Sequence, residues 1–278
     1  MKRHWFSLSN TWLIAGNTLR EAARQQLLGF ILVLALGLVA SAQGFRDFNF
    51  GTPELKFLSD FGFGAMAFFG SVVAVTATAQ LFFSEIENRT VLTLLAKPIG
   101  RGEFVLGKFL GVLVVTAIFC ALLTGVLAAV LWAREGALLR ELPDAFPGGR
   151  LLRYSDLVAV GLVQWLKLAV LAGFTLLVAT FAQSQLYCVI AGFFVLVICH
   201  LQYLAQETYA HSSALGAQLL GELIALLFPN FQLFNFADDW GGGGAVPWSR
   251  VARVALYAAG YLAATSALAI YSFRKREI

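Results

Sequence analysis

Gly102, Gly107 and Lys108 stand at the spacing GxxxxGK in the run GEFVLGK, a spacing that in a nucleotide-binding loop cradles phosphates with backbone N–H groups and a lysine. The next residue is Phe109, where such a loop needs a Ser or Thr hydroxyl for magnesium, and no β-strand is expected before the run. With no second acidic motif nearby, the match is rejected, and this chain is expected neither to bind nor to hydrolyse ATP alone. Lys167 lies inside a long apolar stretch, and an ionisable residue in such a place is a functional candidate by default. The plainer expectation is structural: beside Gln164 and Trp165, Lys167 is placed to snorkel its ammonium toward an interface. His4, His200 and His211 have no acid or cysteine at ligand spacing, and neither HExxH nor GxSxG occurs, so hydrolase chemistry has no support. Cys120, Cys188 and Cys199 fall in apolar stretches as small hydrophobes, and their odd number implies no disulfide framework. No metal or cofactor is expected.

The elements that position these residues follow from composition. Hydrophobic residues make up 59% of the 278, charged residues 13%, and the mean hydropathy is +0.76. A soluble domain has roughly 45 to 50% apolar and about 25% charged residues, so this is an integral membrane protein. A helix needs about 20 mostly apolar residues to cross about 30 Å of hydrocarbon. Six windows meet or approach that length: 27–43, 61–83, 104–132, 157–182, 186–204 and 251–273. Each backbone polar group must be satisfied within its own segment, so the expected fold is all-α, a single polytopic domain of six transmembrane helices. The first 26 residues are too polar for a cleaved signal peptide, so the first span is expected to be retained.

Sidedness comes from Lys and Arg. With the N-terminus inside, the cytoplasmic side receives eleven bases, including Lys2, Arg3 and the tail Arg274, Lys275 and Arg276, against eight outside. Basic start and basic tail choose one face, as an even number of spans requires, so both termini are expected in the cytoplasm. Before the first span, Trp5, Leu8, Trp12, Ala15, Leu19 and Ala22 recur at helical spacing, and residues 5–25 are expected to form an amphipathic helix in the headgroup plane or a plain membrane-proximal anchor. Residues 205–250 form the last external connection. Within it 212–228 is too short, too glycine-marked and too charged at Glu222 for a seventh crossing, and a short external or re-entrant helix is expected instead. The aromatic run PNFQLFNF that follows could touch a substrate or cap the bundle, capping being the plainer expectation.

A charged cassette, SEIENRTVLTLLAKPIGRGEFVLGK, occupies residues 84–108 between two spans. Acids Glu85, Glu87 and Glu103 and bases Arg89, Lys97, Arg101 and Lys108 flank a short helix over 90–96 that Pro98 must end, because proline cannot donate the next helical hydrogen bond. Acids at its start and Lys97 at its end match the helix dipole, which favours a rigid lever. A mere chain reversal would need far fewer residues. Gly107 and Gly111 form a GxxxG pair whose small residues permit close helix approach, within the subunit or across a dimer.

The order of NTLREAAR helix, two spans, ENRTVLTLLAKPIGRGEFVLGKFLG, four further spans with PNFQLFNF before the last, and a basic tail resembles the permease subunits of type-2 ABC exporters. It is most similar to the group of nitrous-oxide-reductase maturation permeases, and the likeness covers essentially the whole chain. The resemblance implies a homodimer or heterodimer of six-span subunits in a bacterial inner membrane, driven by a separate cytoplasmic ABC ATPase. By the same likeness 5–25 is the elbow helix, 84–103 the cytoplasmic coupling segment and 87–97 its coupling helix. Glu85, Glu87, Arg89, Thr90, Leu94, Lys97, Pro98 and Arg101 are then the ATPase-contacting residues. The lipid bilayer is the other implied partner, and nucleic acid is not one. A secondary transporter would instead show internal repeats and broken, charged helices near the midplane, which are not evident here beyond Lys167, and a non-transporting scaffold stays open.

Overall fold

Hydrocarbon offers backbone N–H and C=O groups no partner, so each apolar run must close its hydrogen bonds within itself, which a helix does. The computed structural model describes residues 7–44, 54–87, 100–141, 150–210, 215–237, 240 and 245–275. Among them the chain forms α1 (Leu8–Arg24), α2 (Gln26–Ser41), α3 (Glu54–Glu87), α4 (Arg101–Glu141), α5 (Tyr154–Phe181), α6 (Gln185–Ala210), α7 (Leu215–Leu227), a 3₁₀ turn (Phe231–Phe234) and α8 (Trp248–Lys275). No strand occurs among the described residues. Helices α2, α3, α4, α5, α6 and α8 are the six that are long and apolar enough to cross a membrane. The expected all-α, six-span architecture is the one observed.

The centre of the bundle is α3 and α5, each with 67% of its apolar window buried, whereas α6 and α8 bury 22% and turn most of their apolar surface outward. Ser7 at the start of α1 and Arg274 at the end of α8 both bond to the first turn of α4, so the two ends of the described chain share one end of the bundle. We call this the terminal end and the other the distal end.

Two spans run further at the distal end than their apolar windows predict. α3 begins at Glu54 rather than 61, and α4 continues to Glu141 rather than stopping near 132. The added turns are polar but mutually satisfied, which apolar counting cannot detect. Arg134 grips the Glu54 carboxylate with Nε and, at 3.1 Å, Nη2, and Arg134 also reaches Glu141 at 3.3 Å. Glu135 is wholly buried and accepts from the Leu151 and Leu152 N–H groups at 2.7 and 3.0 Å and from the Tyr154 hydroxyl at 2.8 Å. It thus satisfies two N–H groups just ahead of α5, of which that of Leu152 would otherwise be buried without a partner.

α7 is re-entrant. Its 13 residues span about 20 Å at 1.5 Å per residue, too little to cross. Leu226 near its end accepts from the Tyr261 hydroxyl in the middle of α8, and Phe228 stacks on Phe174 at 6.0 Å, about 30 Å along α5 from its distal start. The chain then climbs back through the 3₁₀ turn, and the Trp240 indole N–H donates to the Arg153 carbonyl at 2.9 Å beside the distal start of α5. Phe231, Phe234 and Phe236 are buried on this return path, so the aromatic run plugs the bundle interior. Non-helical backbone at such depth is tolerated where it is enclosed by protein or lines a polar cavity, and this segment meets both conditions.

Candidate functional site

The stems of the charged cassette are the last turns of α3 and the first of α4, and side chains from four helices converge on them. Lys108, 2% exposed, bridges Glu21 of α1 at 3.0 Å and Glu85 of α3 at 2.6 Å. The other Glu21 oxygen accepts from the Ser84 hydroxyl at 2.6 Å. A lysine placed at phosphate-loop spacing therefore pins α1 to both stems, from within a helix that is continuous from Arg101 and leaves no phosphate-cradling turn.

Glu103 caps two helices. One of its oxygens accepts from the Gly100 N–H at 3.1 Å, the local half of a capping box for α4, and from the Asn10 side chain at 3.2 Å. The other accepts from the Ser7 N–H, satisfying a donor at the start of α1 where Ser7 makes no side-chain cap of its own. Arg101 reaches across to α8, donating to the carbonyls of Phe273 at 3.3 Å and Arg274 at 3.0 Å, the negative end of that helix dipole. Beneath these polar contacts Phe82, Phe104 and Phe273 meet pairwise at 5.5 to 6.0 Å between ring centroids, all buried. Of the eight cassette residues singled out in the sequence, Glu85 and Arg101 are thus structurally engaged. The expected helix over 87–97 lies outside the described residues apart from the backbone of Glu87, and with it Arg89, Thr90, Leu94, Lys97 and Pro98.

The face that α1 packs against the bundle takes only Ala15 and Ala22 from the apolar stripe and leaves its large members Leu8 and Trp12 outward. Thr11, Ile14, Ala15, Thr18 and Ala22 are buried, whereas Leu8 and Trp12, both on the expected stripe, are 77% and 70% exposed. The reason lies in the solvent: lipid is as apolar as leucine, so helices associate through small side chains that allow close approach, and the large apolar ones turn outward. Gly107 and Gly111 supply the complementary surface. A Cβ on Gly107 would lie 2.6 Å from the Ile14 Cβ and 2.9 Å from the Thr11 carbonyl oxygen, and one on Gly111 would lie 2.5 Å from the Thr18 Cβ. The GxxxG pair therefore packs against α1 of the same subunit.

Lys167 is half-way along α5 and faces inward, into a cavity of about 390 Å³ between α3, α5, α6 and the returning segment after α7. Polar groups of Asp60, Gln164, His200, Gln232 and Asn235 share its lining with Phe63, Phe231, Phe234 and Phe236. The Lys167 ammonium stands 5.4 Å from the centre of the Phe231 ring, whose edge meets the His200 imidazole at 5.3 Å. This placement is not the snorkelling pose expected from the sequence. Reaching the headgroups would take the ammonium outward, and the segment returning after α7 closes a polar chamber around it in mid-bundle instead.

Sequence reasoning missed the Glu21–Lys108–Glu85 bridge. The available signal was Lys108 lying between Gly107 and Gly111, since a charge beside a close-packing glycine face requires a nearby counter-charge.

The chain belongs to a family: the profile of the ABC-2 family transporter proteins matches residues 14–278, from α1 to the C-terminus. Six spanning helices and this membership make it a multi-pass membrane permease subunit of an ABC transporter, a class that works with an ABC ATPase. A comparison with curated proteins gives no match.

Proposed function

We propose that the chain forms, as a dimer, the translocation pathway of an ATP-driven exporter and takes its motion from a separate cytoplasmic ATPase seated on residues 87–97. The observation that carries this is the convergence on the cassette stems: the Lys108 bridge, the Glu103 double cap, the Arg101 contact and the phenylalanine cluster tie α1, α3, α4 and α8 together where the cassette leaves the bundle. A push on the cassette reaches four helices as one body, as power transmission requires. In this reading α1 is the elbow helix, with Trp12 and Leu13 turned to the interface, both termini are cytoplasmic, and the membrane is a bacterial inner membrane. The likeness to the nitrous-oxide-reductase maturation permeases belongs to the same proposal.

Docking is tested at the cassette itself. Arg89→Glu with Lys97→Glu is expected to weaken capture of the cognate ATPase about tenfold or more in detergent pull-downs, as charge reversal across a polar contact does, with membrane insertion unchanged. Arg101 is unsuited to this test because its side chain already holds the end of α8. Undiminished capture by the double variant would remove the coupling assignment. Sidedness has its own measurement: in a background lacking Cys120, Cys188 and Cys199, a cysteine at Gly242 should react with an impermeant thiol reagent added outside intact cells, and one placed after Arg276 should not. The reverse pattern would invert the topology.

A further inference from the structure

A cation inside the bundle normally answers to an anion. Lys108 shows the rule in this chain, with two carboxylates within 3.0 Å. Lys167 departs from it: among the described residues its ammonium makes no hydrogen bond and no ion pair, the Asp60 carboxylate of the same chamber included, and it stands 5.4 Å from the centre of the Phe231 ring. An ammonium in mid-bundle is costly to desolvate, and a ring face offsets only part of that cost. What surrounds Lys167 is a chamber of about 390 Å³, within the size range of small-molecule sites, with amides from Gln164, Gln232 and Asn235 and aromatic walls from Phe63, Phe231, Phe234 and Phe236. One wall is the non-helical return of the re-entrant segment, which brings backbone and amide groups to a depth where a lipid-facing wall would offer neither.

We propose that this chamber is a binding site for a small organic monoanion, a carboxylate or phosphodiester group on an apolar body, with Lys167 as the charge anchor. The anionic head sits at the Lys167 ammonium and accepts from the amide side chains, while the apolar body lies among the phenylalanine rings. Asp60, six residues into α3 and so nearer the distal mouth, disfavours a second negative charge on the ligand. Among the described residues His200, on α6, is the remaining titratable side chain of the lining, and its imidazole lies against Phe231. The site is contained within one subunit, so the inference stands apart from the exporter reading and survives its failure.

The test uses the full chain in phosphatidylcholine nanodiscs and follows fluorine NMR line broadening of para-fluorophenylacetate, with empty discs as background. Saturable binding is expected, stronger than that of the neutral para-fluorophenethyl alcohol and of the cationic para-fluorophenethylamine. Lys167→Met should weaken the acetate at least tenfold and leave the alcohol unchanged, and Lys167→Arg should retain the preference for the anion. Repeating the titration with phosphatidylglycerol in the discs identifies the source of the anion: competition assigns the site to a lipid headgroup, and its absence assigns it to a water-borne ligand. Equal binding of acetate, alcohol and amine by the unaltered chain would overturn the proposal without recourse to any variant, as would full retention of acetate binding by Lys167→Met.

Discussion

Lys108→Met is expected to destabilise the subunit by about 3 kcal/mol, the low end for removing one partner of a buried ionic pair, because Glu21 and Glu85 retain some access to solvent. For a chain of this size that corresponds to an unfolding temperature lower by about 6 to 12 °C. The loss arises from two carboxylates left facing each other without their shared cation, so it should be coupled to them. In a background carrying Glu21→Gln and Glu85→Gln the same lysine change should cost much less, because residues of one network do not contribute additively. Thermal melts of the four variants in detergent measure the cycle. Strict additivity, or a Lys108→Met chain that melts with the wild type, would mean that the bridge does not hold α1 to the stems. The change should also slow transport by the assembled complex more than it slows ATP hydrolysis, because it acts on transmission and not on the nucleotide.

Gly107→Leu and Gly111→Leu should each cost about 1 to 3 kcal/mol through overpacking, and together they should lift α1 off α4. Even alanine at Gly111 sets a Cβ 2.5 Å from that of Thr18, a separation that real side chains do not reach, so α1 must move. Gly125 on the same helix has open space around it, and Gly125→Ala should be neutral or stabilising by up to about 1 kcal/mol through helix propensity. Faster trypsin cleavage after Arg20 or Arg24 reports the loosening of α1 in the glycine variants. A Gly111→Ala chain that keeps α1 protected but loses its dimer would show that the pair is a contact between subunits instead.

What the sequence determined by itself is what the bilayer dictates. Apolar runs of spanning length have no alternative to helix, so the count of six crossings, their order and the all-α class were legible from composition and window length alone. The failed magnesium position at Phe109 was likewise enough to set the P-loop match aside, because that chemistry is written in a single residue. The distal turns of α3 and α4 were not legible: Glu54, Arg134 and Glu135 look like loop residues until their partners on other segments are seen. Which face of α1 is buried also waited for the tertiary structure, since hydrophobicity does not distinguish lipid from protein interior and only the glycine surface of α4 does. Lys108 and Lys167 make the same point from opposite sides. Lys108 closes a charged cassette and Lys167 lies in an apolar run, but neither setting names the partner that the side chain meets. Packing gives one of them two carboxylates and the other a chamber, because the direction of a side chain and the segments brought against it are set by contacts between residues far apart in the chain.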